Sequence, residues 1–333
     1  MRAYVDIRMD VPATAPYVIW SEGRRPRAAG RIVATIALTA STAHRSGPPL
    51  SPYFKETPMK RPILVAAALG VAALASGLVL MTASSVAASS LPTLTLALTK
   101  NTITVGGSEV SGAVNIVSTV TGEPSDAPAL ILLKPGVTPA EFGKAVSALG
   151  SHTPLDAIDP YGSIVFDGSA TEGTPTSAET WLQPGTYVAV ENGNGFAPFT
   201  VALSPTPASL PTPGAEVDAI DFGFRGASTL HDGELVRFKN DGYLIHMFLF
   251  IQAKNLADAK KGEALLLAGK TGGAQKLGTG VKGMFAGPLS HAEFQQEVIS
   301  EPPGVYVIAC AMNAEDGRDH FQFGMFRTIT IVK

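Results

Sequence analysis

Cys310, His320 and Met325 lie close together near the end of the sequence, with the spacing Cys-x9-His-x4-Met. A thiolate and an imidazole bind a transition metal strongly, whereas a thioether is a weak, soft ligand suited to an axial position. At the end of a β domain, this order is the one expected for three ligands of a mononuclear copper site. A second imidazole would have to come from another strand, and His246 in the apolar run 243–251 is the candidate.

Each of the four side chains has an ordinary structural explanation when it is considered alone. His246 fits a buried histidine of an apolar strand, Met325 fits a core side chain, and His320 fits the surface of a charged loop. Cys310 is the only cysteine of the chain. In an oxidising compartment it is therefore buried and inert, exposed and reactive, or bound to a metal. The occurrence of all four in the order His, Cys, His, Met favours the metal.

The elements that must position these side chains are β-strands. A Pro-Gly turn at 303–304 leads into the β-branched and aromatic run 305–309, which predicts a buried strand ending at Cys310. After the polar loop that contains His320, residues 326–332 form the last predicted strand. The cysteine, the second histidine and the methionine would therefore lie between two consecutive strands.

With these residues and strands, the sequence resembles the cupredoxins, the type 1 (blue) copper domains, over residues 217–333 and more faintly over the domain before them. The resemblance implies one mononuclear copper that cycles between Cu(I) and Cu(II). It implies that Cys310 is the covalent thiolate and that Met325 is the weak axial ligand that sets the potential. It also implies that His246 is the buried imidazole and that His320 is the imidazole nearer to solvent, and so the port for electrons.

The sequence contains two copies of one plan. The run 128–133 matches the run 246–251, which begins 118 residues later. Pro-Gly-x-Tyr-Val at 184–188 matches residues 303–307, which begin 119 residues later. Two separate matches whose offsets agree within one residue indicate an internal repeat.

Each half also carries a predicted helix between these landmarks. Thr138 and Glu141 form a capping box with proline at the first helical position, and the helix stops near Gly150. In the second half Asn255 is the predicted N-cap, and the helix runs to Gly269. We therefore predict an all-β fold of two tandem Greek-key β-sandwich (cupredoxin-like) domains, each with a short helical insertion.

The repeat provides an internal control for the ligands. The first half has Pro128 at the place of His246 and Glu191 at the place of Cys310. Its following loop, residues 192–199, contains neither histidine nor methionine. The scaffold therefore does not require the four residues, which indicates that they serve chemistry.

A secretory signal peptide is predicted from a basic start at 59–61, an apolar run over 63–81 and small residues over 85–90. The alternative is an uncleaved membrane anchor, because the run approaches the roughly 20 residues that span a bilayer. Translation is then expected to begin at Met59. The predicted organisation is an upstream mis-start or disordered segment at 1–58, the signal peptide at 59–88, a cupredoxin-like domain without copper ligands at 89–203, a proline-rich linker at 204–214 and the copper-binding domain at 215–333.

Charge and motifs exclude several kinds of function. Residues 62–333 hold 15 Lys and Arg against 24 Asp and Glu, a net charge of −9 that argues against nucleic acid as a partner. The additional coppers of multicopper oxidases and nitrite reductases need His-x-His or a histidine beside the cysteine, and the sequence has neither. A cysteine hydrolase usually carries its cysteine at a helix N-terminus, not at a strand end. We therefore expect an electron carrier or binding protein and not an enzyme.

The predicted function is single-electron transfer by an exported type 1 copper protein in the periplasm, at the cell surface or outside the cell. The expected partner is a redox protein or a small electron donor or acceptor. Two alternatives remain open at this point. One is a metal-free, degenerate cupredoxin pair that serves as a cell-surface binding or structural module, and the other is copper capture or delivery without redox turnover.

Overall fold

The computed structural model describes residues 91–150, 153–191 and 195–333 of the 333-residue chain. The predicted segment 1–58 and the predicted signal peptide 59–88 lie outside these residues. The strands of the first half are β1 (Thr93–Thr99), β2 (Thr102–Gly107), β3 (Gly112–Thr121), β4 (Ser125–Asp126), β5 (Ala129–Leu133), β6 (Gly162–Asp167), β7 (Ala170–Thr171), β8 (Thr176–Leu182), β9 (Gly185–Val190) and β10 (Phe196–Val201).

The strands of the second half follow from residue 215 onward. They are β11 (Ala215–Ile220), β12 (Gly223–Gly226), β13 (Thr229–His231), β14 (Leu235–Asn240), β15 (His246–Ala253), β16 (Gly278–Leu289), β17 (Phe294–Val298), β18 (Gly304–Ala309) and β19 (Phe326–Val332). The fold is therefore all-β, as predicted, and β19 has the bounds that the sequence predicted for the last strand.

Each half packs one sheet against another. In the first half one sheet has the order β2-β1-β3-β8 and the other β10-β9-β5-β6. In the second half the corresponding orders are β12-β11-β14-β17 and β13-β19-β18-β15-β16. Strand β1 shows why the sheets face each other: Leu94, Leu96 and Leu98 are buried while the side chains between them are exposed, the period-2 pattern of a strand with one face in the core.

Strand register places the two halves at a slightly different offset from the one expected. Tyr187 lies opposite Leu132 in the first half, and Tyr306 lies opposite Gln252 in the second. When the two tyrosines are aligned, Leu132 of β5 corresponds to Gln252 of β15, an offset of 120 residues and not 118. Because both offsets are even, the side chains remain on the same face of the strand. With either offset, the first-half residue equivalent to His246 is not a histidine.

The helices begin where their caps predict. Helix α1 (Pro139–Ser147) starts after Thr138, which forms the capping box with Glu141. Helix α2 (Leu256–Leu267) starts after Asn255, whose side chain accepts a hydrogen bond from the N–H of Asp258. A further short helix, α3 (Thr271–Gln275), was not predicted and precedes β16.

The two halves meet along strands β8 and β17, which pair at Gln296 and Glu179 and so join one sheet of each half edge to edge. The amide of Gln296 also donates to the carboxylate of Glu179 at 2.7 Å. Apolar packing crosses the same junction, because Ile245 of the second half belongs to a core cluster formed by side chains of the first half, Ile131, Phe142 and Ile158 among them. Among the described residues, no helix is long and apolar enough to cross a membrane.

Candidate metal centre

His246, Cys310 and His320 converge at one end of the second-half sandwich, on the side that faces the first half. Their donor atoms, a nitrogen of each imidazole and Sγ of the cysteine, all lie within 4.8 Å of one another. The two Nδ1 atoms are 3.1 Å apart, and Cys310 Sγ lies 3.4 Å from His320 Nδ1 and 3.8 Å from His246 Nδ1. The structure therefore brings together three of the four predicted ligands by their donor atoms.

The separations fit a single metal ion. With a metal about 2.0 Å from each nitrogen and about 2.3 Å from the sulfur, as for zinc, ligand atoms in a trigonal or tetrahedral site would be roughly 3.3–3.8 Å apart. The observed separations of 3.4 and 3.8 Å fall within that interval, and the separation of 3.1 Å between the two nitrogens lies just below it. Two imidazole nitrogens and one cysteine sulfur in this arrangement are a donor set suited to a copper ion.

Backbone hydrogen bonds hold the ligand loop in place between β18 and β19. Cys310 is the first residue after β18; its N–H donates to the carbonyl of Met325 at 3.1 Å, and its carbonyl accepts from the N–H of Phe321 at 2.9 Å. His320 opens a short 3₁₀ helix, His320–Phe323, whose N-cap is Asp319. The helix ends at Gly324, where φ is +98°, a left-handed conformation that glycine adopts without strain. The turn returns the chain to β19 directly after Met325.

Met325 lies at the site through its backbone and is fully buried. Its N–H donates to the carbonyl of His320 at 3.2 Å, and its own carbonyl binds the N–H of Cys310. Its side chain is 0 % exposed and belongs to the main core cluster of the second half. The structure thus places Met325 next to Cys310 and His320 through its backbone, in a position where its side chain fills the core.

A carboxylate holds the imidazole of His246 from behind. Asp221 Oδ1 lies 3.1 Å from His246 Nε2, so Nε2 carries the proton and Nδ1 presents its lone pair to the site. A carboxylate that orients a ligand histidine in this way is a common feature of metal sites. Burial alone raises the pKa of Asp221, but hydrogen bonds from the Leu244 N–H and from His246 outweigh it and lower the pKa.

Gly242 leaves the space for this carboxylate. A Cβ at position 242 would lie 2.5 Å from Asp221 Oδ1 and 2.7 Å from His246 Nε2, closer than real side chains approach. Residue 242 is therefore restricted to glycine by the hydrogen bond between Asp221 and His246. The sequence offered no signal for Asp221, which lies in the turn between β11 and β12, 25 residues before its partner.

The buried histidines are ready to bind a cation, whereas the cysteine must lose a proton. Burial lowers the pKa of His320 to about 4, helped by the neighbouring His246. Burial also lowers the pKa of His246. Both imidazoles are therefore neutral at pH 7. Burial raises the pKa of the Cys310 thiol to about 12, although the N–H of Met247 donates to Sγ at 3.5 Å and lowers it. A metal would have to displace that proton.

The structure does not show His320 more exposed to solvent than His246. Both ligand histidines are 0 % exposed. An aromatic pair covers His320: the ring of Phe222 meets its imidazole edge-on at 5.3 Å between centroids, and Phe323 packs on Phe222 at 4.8 Å. The Arg318 guanidinium lies 3.8 Å from the centroid of Phe323. Nε2 of His320 is buried without a hydrogen-bond partner among the described residues.

The first half forms part of the wall of the site. Asp156 Oδ1 accepts a hydrogen bond of 2.6 Å from the N–H of Ile245, the residue directly before His246. Ile245 is 0 % exposed and packs in the first-half core, and Met312, two residues after Cys310, packs against the same cluster. Burial, together with the nearby carboxylates of Asp221 and Glu315, raises the pKa of Asp156. No pattern in the sequence indicated this contact, which joins residues 89 positions apart.

The remaining described histidines are not part of the donor cluster. His231 and His291 are exposed, as expected for surface residues. His291 stacks on the ring of Tyr243 with 5.2 Å between centroids. His152 was also expected at the surface and lies outside the described residues.

Comparisons with solved structures give matches of low similarity. Dithionite-reduced auracyanin from Roseiflexus castenholzii is 17% identical over 35% of this chain and 95% of its own, with a TM-score of 0.24. A variant of the McoA multicopper oxidase from Aquifex aeolicus is 10% identical over 73% of this chain and 66% of its own, with a TM-score of 0.21. Copper nitrite reductase from Nitrosomonas europaea is 10% identical over 72% of this chain and 93% of its own, with a TM-score of 0.20. No family model and no curated protein matches the chain.

At these identities and TM-scores the likenesses add nothing to the all-β fold that the chain's own strands show. They do correct one expectation. The chain was expected not to be an enzyme, but the structures similar to it include multicopper oxidases and a copper nitrite reductase, which are enzymes.

Proposed function

We propose that the chain binds one copper ion through His246, Cys310 and His320, with Met325 as a weak axial ligand, and that it transfers single electrons. The observation that carries this proposal is the convergence of two neutral Nδ1 atoms and one Sγ at separations of 3.1–3.8 Å in a fully buried site. Copper bound there would supply the one-electron chemistry by changing between Cu(I) and Cu(II).

The side chains around the ligands would support this function in three ways. Asp221 fixes the tautomer of His246, so that Nδ1 faces the metal. The N–H of Met247 donates to Cys310 Sγ, and hydrogen bonds to the cysteine sulfur tune the potential of such sites. Phe222 and Phe323 cover His320 and keep water away from it. Because a rigid, buried site changes little between oxidation states, this arrangement favours fast electron exchange, and it favours retention of copper over delivery to another protein.

We further propose that the two halves are tandem copies of one cupredoxin-like unit and that the first copy supports the site instead of binding copper. One supporting detail is a hydrogen bond that recurs 119 residues apart. The hydroxyl of Tyr187 donates to the carbonyl of Gln183 at 3.0 Å, and that of Tyr306 to the carbonyl of Pro302 at 2.6 Å. The proposed domains are residues 89–203 and 215–333, joined by the linker 204–214.

The location and partner of the protein also belong to this proposal. The pattern over residues 59–88 supports export to the periplasm, the cell surface or the medium. The partner would be a redox protein or a small electron donor or acceptor, and the acidic balance of residues 62–333 argues against nucleic acid.

A titration with Cu(II) tests the proposal. The purified protein should bind one copper per chain and become blue or green through thiolate-to-copper charge transfer. Cys310→Ala should lose the colour, whereas Ser300→Ala, an exposed residue, should keep it. A protein that stays colourless and binds no Cu(II) would contradict the copper site and support the metal-free binding or structural module.

A further inference from the structure

A cleft of about 630 Å³ opens between the two halves, next to the aromatic cover of His320. Its apolar surface includes Phe222, Leu244 and Phe323 of the second half. Three carboxylates, Asp156 of the first half and Glu315 and Asp316 of the second, also line it, and no basic side chain does. The volume lies within the roughly 300–1,000 Å³ that is common for sites of small ligands.

The negative charge of this cleft is only partly compensated. Arg318 binds Asp316 through Nη2 at 2.7 Å, so that carboxylate already has a cation. Among the described residues, neither Asp156 nor Glu315 forms an ion pair with a basic side chain. Two of the three carboxylates therefore face a concave, partly apolar space without a positive partner, which is complementary to a cation.

The arrangement suits an organic cation better than a metal ion. Within the described part of the chain, the only cluster of three or more possible metal donors is His246, Cys310 and His320. The carboxylates of the cleft thus do not converge on a point, as oxygen ligands of a bare cation must. Their charge is spread beside aromatic rings. The face of an aromatic ring attracts a cation, and the apolar lining of the cleft suits a cation that also carries an apolar group.

Phe222 provides a second indication. Its ring is 36 % exposed, and its backbone has φ = +61°, in the left-handed region that a bulky residue rarely occupies. A strained residue that also exposes apolar surface is a candidate for a binding role. The neighbouring ring of Phe323 already carries a cation of the chain itself, the Arg318 guanidinium, at 3.8 Å. The exposed part of Phe222 lines the cleft and offers aromatic surface to a cation from outside.

We propose that this cleft binds a small organic cation with an aromatic or other apolar body, held by Glu315 and Asp156 and by the ring of Phe222. This proposal goes beyond the copper function and does not depend on it. The residues that would bind the cation, Asp156, Glu315 and Phe222, are not part of the donor cluster. The bound cation would lie against the ring of Phe222, which also contacts His320 of the proposed copper site.

Isothermal titration of the metal-free full chain tests the site, with phenyltrimethylammonium as the cationic probe and benzenesulfonate as an anion of similar size. We expect the cation to bind at least about tenfold more tightly than the anion, since the charges favour only the former. Glu315→Gln and Phe222→Leu should each weaken binding of the cation at least about fivefold. Asp232→Asn, which removes an exposed carboxylate outside the cleft, should leave it unchanged.

The outcomes decide between clear alternatives. Equal affinity for both probes, or an unchanged affinity in Glu315→Gln, would overturn the proposal. Binding of a lysine-rich peptide without any binding of phenyltrimethylammonium would also overturn it and would indicate a protein partner instead. Glu315 is exposed, so its substitution is compatible with folding, and it decides the matter even if Phe222→Leu is unstable. Because no copper is present in the titration, a failure of the proposed metal site does not affect the result.

Discussion

The imidazole of His246 is held at both ends, by Asp221 at Nε2 and by the donor cluster at Nδ1. His320 differs, because its Nε2 has no partner among the described residues and its ring packs against Phe222 as well as against the donor cluster. The two imidazoles are therefore not equivalent. We expect the position of His246 to be set by a hydrogen bond and that of His320 by aromatic packing.

Substitution of Gly242 tests the first of these constraints. In Gly242→Ala the new Cβ would collide with Asp221 Oδ1 and His246 Nε2, so the carboxylate must move and its hydrogen bond must break. Loss of such a supporting bond typically lowers metal affinity by about 10–100-fold. Competition with a copper chelator would measure the loss.

Gly262→Ala is the matched control for this variant. Gly262 lies within α2, and a Cβ there would meet no atom within 4 Å. It should leave copper affinity unchanged and stabilise the fold by roughly 0.5–1 kcal/mol, as expected for alanine in place of glycine in a helix. Equal copper affinity in both variants would show that Asp221 does not support the site.

Met325 packs in the core of the second half and is also the proposed axial ligand. Met325→Leu keeps nearly the same volume and removes only the thioether, so the free energy of unfolding should change by less than about 1.5 kcal/mol. Copper should remain bound with a raised reduction potential, because the donor that favours Cu(II) is lost. Spectroelectrochemical titration would measure the potential, with Met284→Leu as a control in the same cluster. Complete loss of copper would mean that Met325 is not a weak axial ligand.

At the scale of elements, the parts of the fold that depend on local sequence could be predicted. The bounds of β19 follow from its β-branched run, and the starts of α1 and α2 follow from Thr138 and Asn255, because caps and strand patterns act over a few residues. The order His, Cys, His singled out three residues whose donor atoms lie within 4.8 Å of one another in the structure. The burial of His320 could not be predicted, since Phe222 reaches it from another strand pair, and the Asp156 bond to Ile245 depends on how the halves pack.

Glu293, which directly precedes β17, makes stability depend on pH. Burial raises its pKa from 4.5 to about 7, and the nearby His291 only partly offsets this. The folded state therefore binds more protons than the unfolded state between these two values, so stability should fall as pH rises from about 4.5 to about 7 and level off above it. The fall is at most about 3 kcal/mol, and less to the extent that water screens this partly exposed carboxylate.

Urea unfolding at several pH values within that window would measure this effect. Glu293→Gln cannot titrate, so its free energy of unfolding should fall less than that of the parent as pH rises. Glu172→Gln, an exposed carboxylate, should follow the parent. A parent and a Glu293→Gln variant with parallel pH profiles would show that the carboxylate has an ordinary pKa in the folded protein.

At the scale of the whole molecule, polar contacts tie the second half to the first beside the proposed metal centre. The N–H of Ile164 donates to Ser290 Oγ at 2.9 Å, and Thr180 Oγ1 donates to the carbonyl of Phe294 at 2.6 Å. Together with Asp156 and the buried Ile245, these contacts stiffen the start of β15, where His246 lies. We therefore expect the first half to contribute to the geometry of the proposed site in the second half.

Expression of residues 215–333 alone would remove this support. Ile245 would then become exposed, and its N–H would lose the acceptor that Asp156 provides. We expect the fragment to unfold at a lower temperature than the full chain and to bind copper more weakly.

Because the fragment also loses apolar burial, Asp156→Ala in the full chain isolates the hydrogen bond, which should cost about 1–3 kcal/mol of stability. It should also weaken copper binding, whereas Asp159→Ala, which follows the same turn, should not. Calorimetry and copper competition on all four proteins would measure both quantities, and a fragment with the copper affinity of the full chain would show that the first half has no part in the site.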